Sequence, residues 1–222
     1  SALQVNNKNL WIAGGITQEA EIASKSLTFF AIFSLLLQQK KNKGKIVFYN
    51  GDTDRNNPIG IDDRAGELSC ALPQLVYYTT GEELSTALQF VYEKLTSRKI
   101  EGSGNQENLW FVLRKPETMM MQNANALQIF QEILLEGPSF GIQTILCTLE
   151  PQKLAQLNLS SMPFMEKVIL EMDTALYQQV LGSKPNIEPR GFVISTSGNM
   201  RVRVYDLPDN LWVEKVVKKL KS

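Results

Sequence analysis

Short apolar runs alternate along the chain with longer stretches whose apolar positions recur at spacings of three and four, a pattern of buried strands separated by amphipathic helices. Residues 10–13 (LWIA) form the first run, closed by Gly14 and Gly15. Residues 17–39 then carry neither proline nor glycine, so strand, glycine turn and long helix are predicted. Gly44 stops that helix, and the β-branched and aromatic run 45–50 (KIVFYN) predicts a central strand. A loop marked by Asn56, Asn57, Pro58 and Gly60 leads to a short helix before Pro73 and a third strand at 75–80.

Leu84, Leu88, Val91 and Leu95 place one apolar stripe on a helix over 82–98, and 100–108 reads as an exposed loop. Strands at 109–113 and 141–148 flank a helix at 124–136. Beyond them come a strand at 167–170, a helix around 173–181, strands at 191–195 and 201–205 with Asn199 suited to the turn between them, and a basic helix near Trp212. The alternation predicts an α/β fold with a largely parallel central sheet and helices on both faces. The loops after Ala13, Asn50, Leu113 and Thr148 then converge at the carboxyl edge, where ligands bind in such sheets.

Composition narrows the chemistry. The 222 residues are 43% hydrophobic, enough for one substantial core, so 1–222 reads as a single domain. Lys+Arg and Asp+Glu both number 23, which leaves no overall cationic field for collecting nucleic acid. The absence of histidine removes Ser-His and Cys-His nucleophile pairs and His-ligated zinc. Cys70 and Cys147 sit in apolar surroundings and read as buried thiols rather than a disulfide, in a cytoplasmic protein. The most apolar stretch, 27–37, is about half the ~20 residues of a membrane span and reads as a buried helix. The Ser-Ala start has no signal-peptide character and suits a domain excised from a longer chain.

Two features keep bland readings beside functional ones. Met119, Met120 and Met121 suit core filling at a helix start, or an adaptable partner surface. The closing VEKVVKKLKS suits a solvated helix end complementing the dipole, with contact to nucleic acid as the functional alternative.

Four segments in chain order, LWIAGG (10–15), LWFVLRKPE (109–117), GPSFGIQTILCTLEP (137–151) and PRGFVI (189–194), together resemble the motor domain of the FtsK/SpoIIIE family of P-loop translocases. The third is the most specific, because 141–151 keeps the rhythm of the family's GIHLILATQRP. The resemblance spans most of the chain and implies a RecA-like P-loop NTPase fold. It also implies ATP-driven hexameric translocation of DNA or, in the multi-domain EssC/EccC-type coupling ATPases of type VII secretion, export of small helical proteins.

The residues depart from that chemistry at three places. A working GxxxxGK[ST] loop cradles phosphates on backbone N–H groups, neutralises them with lysine and holds magnesium through the hydroxyl. Aligned without gaps, Gly14 takes the first glycine and Gly15 follows, but Glu19 stands at the second glycine, Ala20 at the lysine and Glu21 at the hydroxyl. Glu19 and Glu21 add negative charge where a triphosphate needs positive potential. Ser24, Lys25 and Ser26 restore the lysine and hydroxyl only if the loop is five residues longer.

At the second acidic motif, Arg114 and Lys115 replace the carboxylates that assist magnesium and orient water. They read equally as solvated strand-end charges or as partners of Glu19 or Glu21. At the sensor strand's end Thr148, Leu149 and Glu150 replace the family's polar sensor, while Pro151 persists.

The expectation is therefore a non-hydrolysing domain, with no catalytic residue, metal or cofactor, serving assembly, regulation or substrate docking in a type VII secretion motor. Its partners would be other ATPase domains of the same chain or neighbouring subunits, and secreted helical proteins, in a membrane-associated parent. One rival is an active DNA translocase using Ser24-Lys25-Ser26 with carboxylates from Asp52, Asp54 or a neighbouring subunit, binding ATP, magnesium and DNA. Another is a degenerate motor-like module of a phage-defence system.

Overall fold

The computed structural model describes residues 9–39, 44–52, 61–78, 81–102, 107–162, 164–182, 193–195, 200–202, 204 and 206–221. Its elements in chain order are β1 (Asn9–Ala13), α1 (Gln18–Gln39), β2 (Lys45–Asn50), α2 (Ile61–Ala71), β3 (Leu75–Tyr78), α3 (Gly81–Glu101), β4 (Leu109–Arg114), α4 (Glu117–Met121), α5 (Ala124–Glu136), β5 (Ile142–Thr148), β6 (Phe164–Ile169), α6 (Thr174–Leu181), β7 (Val193–Ser195), β8 (Met200–Val202) and α7 (Asn210–Lys221). Short 3-10 turns occupy Gly137–Phe140, Pro151–Leu157 and Leu159–Ser161.

The sheet order is β3-β2-β4-β5-β1-β6-β7-β8. The first six strands run parallel, and β7 and β8 add an antiparallel edge. This is the expected α/β architecture, a largely parallel sheet with helices on both faces. Its strands read as continuous apolar runs because successive side chains enter opposite cores.

On one face Val47, Tyr49, Phe111 and Leu113 meet Leu84, Leu88 and Val91 of α3 and Phe130 and Ile133 of α5. On the other, Ile46, Phe48, Trp110 and Val112 meet Phe29, Ile32 and Leu35 of α1 and Leu68 of α2. α7 closes this second face through Val213, and Trp212 packs edge-on against Phe30 and Phe33.

The boundaries differ from the sequence expectation where packing or capping overrides local pattern. α3 continues through Ile100 to Glu101, and Arg98 near its end donates to the carbonyls of Phe140, Gly141 and Glu107. β4 includes Arg114, and β6 begins at Phe164, whose ring packs on Trp11. Residues 79–80 of the third predicted strand, and Asn199, lie outside the described residues. α1 is long and apolar enough to cross a bilayer by composition alone, but half of that span is buried against the sheet.

Candidate functional site

Strand alternation aims the decisive side chain. Trp110 and Val112 face α1, so Arg114, two residues on, faces it too, and in register it lies between Asn50 of β2 and Cys147 of β5. In α1, Glu21, Ser24 and Lys25 share one face at spacings of three and four. Arg114 is fully buried, 0% exposed, so it is not a solvated strand end.

Its Nη1 donates to Asn50 Oδ1 at 3.0 Å and Asp52 Oδ2 at 2.9 Å. Its Nη2 donates to Ser24 Oγ at 3.1 Å and to Glu21 Oε1. Ser24 Oγ in turn donates to the Glu21 carbonyl at 2.8 Å, which leaves its lone pairs for the guanidinium. Lys115 Nζ stands 3.2 Å from Asp52 Oδ1 and 3.4 Å from Glu21 Oε2. Lys25 Nζ lies 3.4 Å from Glu21 Oε1 and 3.7 Å from Asp52 Oδ2. Two carboxylates are thus shared among three cations.

Burial alone pushes the Asp52 carboxyl up, but Arg114 and Lys115 outweigh it and hold it well below the usual carboxylate range. Burial also opposes the charge on Arg114, and Glu21 and Asp52 more than offset that, so the guanidinium is held charged. The neighbouring Cys147 thiol is buried as expected, is pushed up to about 12 by that burial despite Arg114, and stays neutral, whereas Cys70 is exposed, contrary to the sequence expectation.

The loop between β1 and α1 is spent on the fold itself. Gly14 N–H donates to the Thr148 carbonyl at 2.9 Å and Gly15 N–H to the Glu171 carbonyl at 2.8 Å. A Cβ at Gly14 would stand 2.9 Å from a Leu149 methyl and 3.2 Å from the Ala20 Cβ, so the loop is packed against its neighbours. Thr17 Oγ1 accepts from Ala20 N–H at 3.1 Å as the helix cap.

Ala20 itself is buried in the α1-side core, whereas Glu19 is exposed and takes no part in the ion cluster. Ser24, Lys25 and Ser26 lie inside α1 rather than on a displaced loop, and both serines are buried. Asp54 falls outside the described residues.

At the end of β5, Thr148 Oγ1 accepts the Trp11 indole N–H at 2.9 Å. The turn after it is held by Glu117, which lies beyond the end of β4. Glu117 Oε1 accepts from Leu149 N–H at 2.7 Å and from Glu150 N–H at 3.0 Å, and Glu150 pairs with Lys153 at 2.6 Å. Glu117, the first residue of α4, is buried, and burial raises its carboxyl pKa despite the N–H donors.

Glu117→Ala strands two backbone donors and is expected to cost about 1–3 kcal/mol. Because the folded pKa is raised, the fold binds the proton better than the unfolded chain does. Glu117's contribution is full below the unfolded carboxyl value of about 4.3 and declines as pH rises through the folded value. Denaturant unfolding should therefore show the loss shrinking as pH rises above the unfolded carboxyl value; a loss that grows with rising pH would contradict this.

Glu117, Asn50 and the Ser24 hydroxyl were not singled out in these roles by sequence, and Asp52 stood only as a donor under the rival reading. The available signal was the two-residue alternation that puts Asn50 and Arg114 on the α1 face. Among the described residues, no group of three His, Cys, Asp or Glu side chains is placed to hold a metal.

Comparison with solved structures decides the fold. EssC ATPases 2 and 3 from Geobacillus thermodenitrificans align with TM-score 0.64 and 15% identity over 97% of this chain and 43% of that one. The fold is that of the EssC and EccC ATPase domains. Thermomonospora curvata EccC ATPases 2 and 3, in complex with a signal sequence peptide, align with TM-score 0.64 and 14% identity over 96% of this chain and 41% of theirs. The conjugation coupling protein TcpA, in its monomer form with ATPγS, aligns with TM-score 0.61 and 11% identity over 97% of this chain and 66% of TcpA. The chain therefore spans less than half the length of the EssC and EccC structures. No protein-family model matches the sequence, and no curated protein does.

Proposed function

We propose that this chain is a non-hydrolysing RecA-like domain, an assembly, regulatory or substrate-docking unit of a longer translocation motor of the protein-secretion kind. The observation that carries this reading is the buried guanidinium of Arg114. It stands where the family's magnesium-assisting carboxylate belongs, and its terminal N–H groups are spent on Glu21, Ser24, Asn50 and Asp52. A magnesium nucleotide needs hard oxygen donors and a lysine beside its phosphates. Here a cation occupies the oxygen donors and Ala20 stands at the lysine position, so the residues present do not fit that group.

The fold shared with tandem EssC and EccC ATPases supports a place beside other ATPase domains, in a cytoplasmic part of a larger protein. Secreted helical proteins remain the proposed substrates, by analogy with the peptide bound to EccC. The rival displaced loop is disfavoured because Ser24 and Ser26 are buried in α1 and Lys25 already pairs with Glu21 and Asp52.

Phosphate release by the purified domain separates the two readings. Turnover at the no-protein background, with or without DNA and unchanged in Lys25→Ala, is expected. DNA-stimulated turnover abolished by Lys25→Ala would overturn the proposal.

A further inference from the structure

The arrangement around Arg114 has the composition of a hard-cation site, with carboxylate oxygens from Glu21 and Asp52, the amide oxygen of Asn50 and the hydroxyl of Ser24. The match to the guanidinium is one to one, because its terminal nitrogens carry four N–H groups and each meets a different oxygen. Nε, by contrast, is buried without a hydrogen-bond partner. The head is therefore held entirely by its outer end, and its tether contributes no polar contact.

The four oxygens come from two separate elements, the first two turns of α1 and the end of β2 with the residues after it. Without a cation between them, two carboxylates would face each other across this seam. Lys115 and Lys25 approach the same carboxylates from the rim, where the Glu21 side chain is 27% exposed and Asp52 8%.

We propose that Arg114 is a tethered counter-ion that permanently fills an oxygen-lined cation cup, clamping the first turns of α1 to the end of β2 without any dissolved metal or nucleotide. This deepens the non-hydrolysing reading and rests on it in one respect: the cup is filled from within in the resting protein.

Chemical rescue tests it. The thermal midpoint is measured for the intact domain, for Arg114→Ala and for Arg114→Ala combined with Glu21→Gln and Asp52→Asn. Each is measured with low-millimolar guanidinium chloride and with sodium chloride at equal ionic strength. Arg114→Ala should lower the midpoint by about 10 °C. Guanidinium, but not sodium, should return at least half of that loss, and the triple variant should show no such recovery. An unshifted midpoint in Arg114→Ala, or a loss that guanidinium restores no better than sodium, overturns the proposal.

Should Arg114→Ala not fold, hydrogen exchange in the first turns of α1 decides between wild type and the Glu21→Gln/Asp52→Asn pair, which keeps Arg114. Faster exchange in the pair is expected, and unchanged exchange overturns the proposal. In the intact domain, a midpoint raised by magnesium ATP would sink the non-hydrolysing reading. Failed rescue without any nucleotide effect would sink the tethered counter-ion alone.

Discussion

Arg114→Met is expected to lower the unfolding free energy by about 3–5 kcal/mol, measured by denaturant titration at neutral pH. Methionine fills much of the arginine's volume, so the loss comes from charge rather than from a cavity. Asp52, 8% exposed, and Glu21 would lose the buried partner they share. Lys115 and Lys25 remain 3.2–3.7 Å away and keep the loss from growing larger.

The scale is set by a surface pair in the same protein. Lys99 bridges Glu132 at 2.6 Å and Glu136 at 2.7 Å, yet all three are solvent-accessible, so Lys99→Ala should cost at most about 1 kcal/mol. Adding Glu21→Gln and Asp52→Asn to Arg114→Met should recover a large part of the loss, because the orphaned charges are then gone. A loss below about 1 kcal/mol for Arg114→Met would mean that the cluster is ornamental.

Gly51→Ala should be nearly as damaging, at about 3 kcal/mol or more, because backbone must move to admit the methyl. A Cβ there would stand 2.1 Å from the Lys115 carbonyl oxygen, while Gly51 N–H donates to the Arg114 carbonyl at 2.8 Å. The segment it approaches is itself tightly turned, with Lys115 at φ 49°. The end of β2 and the end of β4 are therefore pressed together at the point where Asp52 and Arg114 must meet. The same titration on Gly51→Ala checks it; a change within 0.5 kcal/mol would show that the two loops part easily.

Much of the fold was legible because it depends on period. Continuous apolar runs flanked by stretches of helical spacing give a parallel sheet covered on both sides, and β2, α5 and β5 fall close to where those patterns place them. The 3-10 turns from Pro151 to Ser161 were not legible. They carry no long period and are held by tertiary contacts such as Leu154 and Leu157 in the core.

The site was half legible. Replacement of the acidic pair by Arg114 and Lys115 is written in the sequence. Whether those cations were solvated or paired depended on one residue of strand length, since β4 continues through Arg114 and turns it inward. Glu21, rather than Glu19, receives them because α1 begins at Gln18 and its helical phase carries Glu21, Ser24 and Lys25 to the sheet. Glu117 was not legible, because it follows Pro116 outside the strand and only the fold brings its carboxylate to the turn after β5.

Titration calorimetry of the isolated domain with ATP and magnesium tests the central claim most directly. With Arg114 filling the oxygen donors and Ala20 at the lysine position, no heat or at most millimolar binding is expected. Micromolar binding, about 8 kcal/mol, that is lost in Lys25→Ala would contradict it and restore a nucleotide site to this fold.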